Sequence, residues 1–267
     1  MRDSRWQPTL LIRASVALHL LAFITVIATP GQWPWALGAV AINHLLIAGI
    51  GLWPRSHWLG PNWTRLPTGA TARNEIALTI DDGPDPIVTP QVLDILDRYA
   101  AQATFFCIGE KAVRYPDLCR EIVRRGHAVE NHSQHHRHHF SLMGSRAMMR
   151  ELQAAQDTLT TISGQRPLFF RAPAGLRNPF LDPVLHRLGL ILASWSVRGF
   201  DTRVCDARRV KNKLLRGLHA GAILLLHDGN AARTAGGIPV ILEVLPALLE
   251  SAAAAQLRTV TLRQALS

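Results

Sequence analysis

The first 53 residues differ from the rest of the chain in their pattern of hydrophobic positions. Residues 9–29 and 33–53 form two almost entirely apolar stretches of 21 residues each. About 20 such residues are enough for a helix to cross the hydrocarbon core of a bilayer. The short Pro-Gly-Gln sequence between the stretches favours a tight turn. The pattern therefore predicts an N-terminal two-helix transmembrane hairpin over residues 1–53.

Tryptophan and arginine positions support this hairpin and give it a direction. Six of the seven tryptophans lie at the ends of the two stretches or just beyond them, where indole rings favour the membrane interface. Arginines flank the hairpin but are absent from its turn: Arg2, Arg5, Arg55, Arg65 and Arg73. The positive-inside rule then places both ends in the cytoplasm. A cleaved signal peptide is the alternative for the first stretch, which lacks a small-x-small cleavage site.

The composition of the chain narrows its domain organisation and its possible binding partners. Residues 54–73 contain three prolines and two glycines, which predicts an extended linker before a soluble domain over residues 74–267. The formal net charge is +10, yet no compact run alternates basic with aromatic residues. Anionic membrane lipids therefore explain the charge better than nucleic acid does. The three cysteines are widely spaced, which predicts reduced thiols rather than a disulfide framework or a CxxC metal site.

Strand and helix patterns alternate along the soluble domain. Seven strands are predicted, at residues 75–80, 103–108, 127–131, 168–171, 190–196, 222–227 and 258–262. Six helices are predicted between them, at residues 89–99, 116–125, 145–162, 179–188, 206–218 and 239–254. This alternation indicates an α/β fold with a parallel sheet, either open or closed into a barrel.

Polar residues follow the predicted strands at the ends where α/β proteins place their chemistry. They are Asp81, Asp82, His132, Arg171, Asp201 and His227. The chain contains no GxGxxG, no phosphate loop and no GxSxG. The chain therefore lacks the motifs that are typical of dinucleotide-dependent oxidoreductases, nucleotide hydrolases and serine hydrolases.

Two of these motifs have the composition of a metal site. Asp81 and Asp82 are adjacent, so their side chains diverge. One of them can bind a metal while the other accepts a proton. The structural alternative is a pair of aspartates that caps a turn. Residues 131–139 hold five of the twelve histidines. Several pairs among them have i,i+3 or i,i+4 spacing, so the sequence leaves open which ones chelate, and a solvated loop is the alternative.

Two further strand ends carry groups that suit acid–base chemistry. Arg171 precedes a constrained Ala-Pro-Ala-Gly turn and can hold a carboxylate in its ionised form. His227 ends an apolar strand, and a histidine there suits general acid work near neutral pH. Either residue alone is equally compatible with a structural role.

Taken in order, the Thr-Ile-Asp-Asp-Gly-Pro, His-Ser-x-x-His, Arg-x-Pro-x-Gly and Leu-His motifs resemble those of the family 4 carbohydrate esterases, the polysaccharide and chitooligosaccharide deacetylases. The resemblance extends over residues 74–267. It implies a distorted (β/α)7-type barrel and metal-dependent N-deacetylation of an amino sugar. It also implies a divalent metal, zinc by default for this ligand set, bound by Asp82, His132 and His136. By the same resemblance Asp81 is the general base, Arg171 positions Asp81, and His227 is the general acid.

The chain departs from the family pattern at two places. Ala174 stands where the third motif usually has an aromatic residue. Members of the family usually also carry an Asp-x-x-Asp-Trp motif, and Arg198 replaces its first aspartate in this chain. We expect this change to remove the carboxylate that orients His227 from its usual place. Asp201 is the nearby carboxylate that can substitute for it. Both changes indicate a subgroup with a different substrate.

These observations predict a metal-dependent carbohydrate N-deacetylase in the inner membrane, with its catalytic domain on the cytoplasmic side. Its expected partners are an N-acetylated glycan or a lipid-linked amino sugar, together with membrane lipids and without nucleic acid. Two other functions are compatible with the sequence. One is a catalytically silent, membrane-tethered carbohydrate-binding protein of the same fold, and the other is a metal-storing or metal-sensing protein.

Overall fold

The structure is a computed structural model that describes residues 5–267, so Arg2 lies outside the described residues. Its helices are α1 (Leu10–Ala28), α2 (Trp33–Gly51), α3 (Thr68–Ala72), α4 (Val88–Arg98), α5 (Gly109–Arg114), α6 (Pro116–Arg124), α7 (Ser145–Ser163), α8 (Leu181–Leu188), α9 (Ala207–Leu215) and α10 (Val240–Ala254). Its strands are β1 (Glu75–Gly83), β2 (Ala103–Cys107), β3 (Ala128–Asn131), β4 (Phe169–Phe170), β5 (Ile191–Leu192), β6 (Val197–Arg198), β7 (Ile223–His227) and β8 (Arg258–Thr259).

The predicted parallel sheet is confirmed. Seven strands lie in the order β5-β4-β3-β2-β1-β7-β6, every pair is parallel, and β8 pairs with the start of β1. The edge strands β5 and β6 do not pair with each other within the described chain, so the sheet is a half-barrel. The single strand predicted over residues 190–196 is wrong, because the chain leaves the sheet after β5 and re-enters at the opposite edge as β6.

Strand alternation separates the packing side of the sheet from its chemical side. All nine residues of β1 are buried. Ile76, Leu78 and Ile80 belong to the core that packs under the helices. Thr79 and Asp81 occupy the intervening positions and therefore point to the interior of the half-barrel, because successive strand side chains face opposite ways. The two-sided burial explains why the strand reads as a nearly continuous apolar run.

Helices α1 and α2 form the predicted hairpin and pack through their polar side chains. Asn43 Nδ2 donates a 2.8 Å hydrogen bond to Ser15 Oγ, and this pair is buried between the helices. His19 and His44 approach each other at 3.1 Å between their Nε2 atoms. Such contacts satisfy polar groups within a bundle, while the apolar side chains stay outside. Both helices are long and apolar enough to cross a membrane, a test that a signal sequence also passes.

Residues 54–73 differ from the expected extended linker, because they pack against the soluble domain. Leu59, Leu66 and Ala70 are buried, and α3 lies within this segment. Trp63 pairs with Ala193 beside the edge strand β5. Proline and glycine content predicts the absence of long regular elements correctly, but it does not reveal tertiary contacts of the intervening apolar residues.

The end of the hairpin is fixed to the loop between β4 and α8. The Arg177 backbone N–H donates to Gly51 O at 3.2 Å, and the Arg177 guanidinium donates to Ser56 O. On the other side of the hairpin, Trp6 Nε1 donates to Asp182 Oδ2 at 2.7 Å. The hairpin therefore meets the soluble domain at a defined place, directly beside residues of the third motif.

Candidate metal centre

The carboxyl ends of the strands bring the predicted site residues to one end of the half-barrel. Asp81 lies in register with His227 on the adjacent strand β7. His132 directly follows β3, and Arg171 directly follows β4. All these strands run in the same direction, so their carboxyl ends share one edge, where α/β folds place their sites.

Asp82, His132 and His136 form the cluster that could hold a metal ion. Asp82 Oδ1 lies 3.2 Å from His132 Nε2 and 3.2 Å from His136 Nε2. One ligand atom from each of the three residues lies within 4.8 Å of the others. A carboxylate with two imidazoles is a donor set that divalent transition metals bind, and it leaves positions open for water and substrate.

The partners of the ligands fix their orientation toward this point. His132 Nδ1 contacts Arg171 O at 2.9 Å, which fits an Nδ1–H donor and leaves Nε2 free to bind a metal. Asn230 Nδ2 donates to Asp82 Oδ2 at 3.2 Å, and Lys111 Nζ donates to Asp82 O at 2.7 Å. Sequence reasoning missed both Asn230 and Lys111; Asn230 follows the His-Asp-Gly sequence closely, whereas Lys111 has no sequence signal.

The loop geometry separates His136 from its neighbour His135. Ser133 Oγ accepts a 3.0 Å hydrogen bond from the His136 N–H, which turns the His136 side chain inward. His135 turns the other way, and its N–H and Nδ1 both contact the carboxylate of Glu151, at 2.6 and 3.0 Å. The chain therefore brings His136, and not His135, next to Asp82.

Backbone strain accompanies the cluster. Asp82, Ser133 and His136 have φ angles of 71°, 66° and 48°, in the left-handed region. Non-glycine residues in this region cost of order 1–3 kcal/mol each, and they persist where surrounding contacts hold them. Here the strain lies in both segments that supply the cluster.

The environment holds two of the ligands, Asp82 and His136, in the protonation states that a cation requires. Burial alone would raise the pKa of Asp82, but the hydrogen bond and charge of His132, with the charges of His227 and His136, lower that pKa well below its ordinary value. Burial, with the charge of His132, lowers the pKa of His136 to about 4. The carboxylate is thus ionised and this imidazole neutral at neutral pH, as metal ligands must be.

Asp81 faces the same point but is held by a different partner. Arg171 donates to Asp81 Oδ1 at 2.6 Å and to Thr79 Oγ1 at 2.8 Å. The guanidinium is itself fully buried, and it donates further to the backbone oxygens of Ala193 and Ser194. The second oxygen of Asp81 lies 3.9 Å from His132 Nε2, so it is turned toward the cluster. A bidentate or multiply bonded arginine fixes a carboxylate in one orientation.

His227, at the end of β7, and Asp201, which follows β6, form a buried pair. His227 Nδ1 lies 2.9 Å from Asp201 Oδ1, and the His227 N–H donates to Asp201 Oδ2 at 2.7 Å. Burial alone would lower the pKa of His227, but the charge and hydrogen bond of Asp201, with the charges of Asp81 and Asp82, raise it. Asp201, which the sequence offered as the substitute for the carboxylate lost at Arg198, therefore contacts His227 in the structure.

The departure at Ala174 lies in the turn that follows Arg171. Ala174 is exposed and has a φ of 54°. Gly175 next to it has a φ of 74°, and a Cβ built there would lie 2.5 Å from Trp195 and 2.7 Å from Pro54. The turn that carries Ala174 is thus wedged between the barrel and the end of the hairpin.

Fold and site together define one class of proteins, the polysaccharide deacetylases. The model of the family described as polysaccharide deacetylase matches residues 68–193. A chitooligosaccharide deacetylase of Azorhizobium caulinodans is 38% identical over 161 residues, which are 59% of this chain and 75% of the relative. A peptidoglycan-N-acetylglucosamine deacetylase of Bacillus cereus is 34% identical over 183 residues, 65% of this chain and 81% of the relative. The chain belongs to the polysaccharide deacetylase family.

A solved structure agrees with this assignment. A peptidoglycan N-acetylglucosamine deacetylase in complex with an N-hydroxybenzamide superimposes with a TM-score of 0.68 at 26% identity, over 76% of this chain and 91% of the other. The resemblance drawn from the four motifs is thus confirmed, as is the expected distorted α/β barrel. The family match begins after the hairpin and includes α3.

Proposed function

We propose that the protein is a metal-dependent hydrolase that removes the N-acetyl group from an amino sugar. The observation that carries the proposal is the convergence of Asp82, His132 and His136 on one point, with Asp81 turned toward the same point by Arg171. The named relatives support the reaction type, because they are deacetylases of chitooligosaccharide and of peptidoglycan N-acetylglucosamine.

Asp82, His132 and His136 would hold the ion, and zinc fits this nitrogen-rich ligand set best. When bound, a divalent ion supplies Lewis acidity toward the amide carbonyl and lowers the pKa of water from 15.7 to about 7. His132 is kept in the required tautomer by Arg171 O, and Asp82 is oriented by Asn230. The proton transfers of the reaction are carried out by side chains of the protein.

Asp81 and His227 divide the proton transfers of amide hydrolysis. Asp81 takes a proton from the attacking water, and Arg171 holds its carboxylate in the correct direction. His227, whose pKa Asp201 raises, gives a proton to the amide nitrogen so that the C–N bond breaks to acetate and a free amine. An exposed backbone N–H at Ala174 is the proposed additional donor to the oxyanion; one such donor is typically worth about 2.7–4 kcal/mol of barrier.

We further propose that residues 1–53 anchor the catalytic domain, residues 74–267, to the cytoplasmic face of the inner membrane. The charge pattern supports this direction, since Arg55, Arg65 and Arg73 follow the hairpin while its turn is uncharged. The contact between Gly51 and Arg177 would hold the site close to the bilayer. A lipid-linked amino sugar at the inner face is therefore the proposed substrate.

Acetate release by the purified full-length protein tests the reaction. The zinc-loaded protein, reconstituted in nanodiscs, should release acetate from an N-acetylated chitooligosaccharide or from a polyprenyl diphosphate N-acetylglucosamine. A protein that binds zinc and glycan but releases no acetate from any acetamido sugar would instead be the catalytically silent carbohydrate-binding protein. More than one tightly bound zinc per chain, with no effect of Asp81 substitution, would indicate metal storage.

Reporter fusions test the proposed orientation. With both chain ends in the cytoplasm, a green fluorescent protein fused after Ser267 is expected to fluoresce, and an alkaline phosphatase fused there is expected to be inactive. A matched fusion within the hairpin turn, after Gly31, should show the reverse. An active phosphatase at the C-terminus would place the domain outside and would contradict the cytoplasmic assignment.

A further inference from the structure

Arg198 is a cation inside the half-barrel with an unused hydrogen-bond donor. In β6, Val197 packs with the core under the helices, whereas Arg198 lies in register with Leu225 of the inner core cluster. Alternation along the strand therefore directs Arg198 to the inner face. Its Nε atom is buried and has no hydrogen-bond partner among the described residues. A buried donor without an acceptor is unfavourable, so this position favours a bound acceptor.

Two aromatic rings flank the guanidinium of Arg198. The Arg198 Cζ lies 5.5 Å from the ring centroid of Trp195 and 5.1 Å from that of Phe200. Phe200 precedes Asp201, which contacts His227. Leu225, the partner of Arg198, is two residues before His227, a distance of about 7 Å along a strand. Arg198 thus lies on the strand beside the one that ends in the proposed general acid, and its guanidinium shares the Trp195 ring with Arg171, whose Cζ lies 5.8 Å from the ring centroid.

Positive charge in this region is not compensated. Arg55 donates to Ser196 O at 3.1 Å, and Lys213 Nζ lies 4.1 Å from the Phe200 ring. Neither of them nor Arg198 forms an ion pair within the described chain, and the nearby Asp201 is already bonded to His227. A half-buried arginine flanked by further cations and aromatic rings is suited to a phosphate group, which its planar donors match.

We propose that Arg198, assisted by Arg55, binds the phosphate that links the amino sugar to its carrier and so selects phosphate-linked substrates over neutral glycans. The proposal rests on the deacetylase function proposed above. In a 2-acetamido sugar joined through C1, the phosphate lies on the carbon next to the one that bears the amide. Arg55 is four residues beyond the end of α2, so the same phosphate would lie close to the membrane interface.

Substrate selectivity of Arg198 variants tests the proposal. Acetate release by the zinc-loaded full-length protein in nanodiscs would be compared on polyprenyl diphosphate N-acetylglucosamine, uridine diphosphate N-acetylglucosamine and neutral triacetylchitotriose. For Arg198→Gln we expect kcat/KM to fall at least tenfold on a diphosphate-linked sugar, mainly through KM, and to stay within twofold on chitotriose. Arg198→Asp, which restores the family residue, should reverse the preference toward chitotriose. The two diphosphate substrates distinguish a lipid carrier from a nucleotide carrier.

The matched control is Arg209→Gln, which removes an equal charge from the exposed surface of α9 and should leave all three rates unchanged. Equal losses on charged and neutral substrates, or no loss on either, would overturn the proposal and leave Arg198 a structural residue. Binding of inorganic pyrophosphate to the chelator-treated protein, measured by calorimetry, separates this proposal from the deacetylase function. At least tenfold weaker binding by Arg198→Gln supports the subsite even when no acetate is released, and an unchanged Kd refutes it.

Discussion

His132→Ala is expected to lose both bound zinc and acetate release, whereas Asp81→Asn is expected to keep zinc and lose only turnover. His132 contributes one of the three ligand atoms that lie within 4.8 Å of each other, so its removal leaves an incomplete ligand set. Asp81 is not one of these three ligands; Arg171 binds its Oδ1, and its amide analogue cannot accept the proton from water. Loss of a general base typically costs about 10²- to 10⁴-fold in rate.

Zinc content by plasma emission and acetate release would be measured on the same preparations. His138→Ala is the matched control, because His138 is exposed in the same loop and should keep both properties. Full turnover in Asp81→Asn would remove this residue from the role of base. Retained zinc in His132→Ala would contradict the assigned ligand set.

Asp201→Asn is expected to lower kcat/KM and to shift the alkaline limb of its pH profile to lower pH. The Asp201 carboxylate opposes the effect of burial and raises the pKa of His227, which keeps the imidazole protonated as pH rises. Without that charge, His227 loses its proton at lower pH, so the acid form disappears earlier. A neighbouring charge typically shifts a pKa by about 1–3 units, and we expect a limb displaced by at least 1 unit.

Profiles of kcat/KM from pH 5 to 10 would measure the shift, with zinc content as a check that the metal site is intact. A merely structural role of Asp201 would lower the rate equally at every pH. An alkaline limb at the wild-type position would therefore show that Asp201 does not tune the general acid. Arg209→Gln again serves as the control for a remote change of charge.

Local patterns predicted most of the sheet, and the reason is visible in β1 and β7. Both strands are buried on two sides, so their sequences are almost wholly apolar until the catalytic end. The family motifs likewise predicted which strand ends carry polar groups. By contrast β6 and the helix α5 were missed, because short elements contain too few residues to show a period.

Residues 54–73 show the main limit of composition as a guide. Their prolines and glycines indicate irregular backbone, and the backbone is largely irregular. Whether such a segment stays free depends on a complementary surface, here the edge of β5 beside Trp63 and the turn at Gly175 beside Pro54. Those surfaces are formed by residues more than 100 positions away in sequence.

The sequence by itself determined the apolar hairpin pattern, the alternating α/β fold and the residue types available for the chemistry. Each of these depends on spacing along the chain or on a local motif. The family resemblance selected His136 and the sequence offered Asp201, but only the tertiary structure shows how His136 rather than His135 turns toward Asp82 and how Asp201 reaches His227. These contacts depend on loop backbone angles and on the packing of distant strands. Even the side chains of adjacent residues, such as His135 and His136, can therefore point into different surroundings.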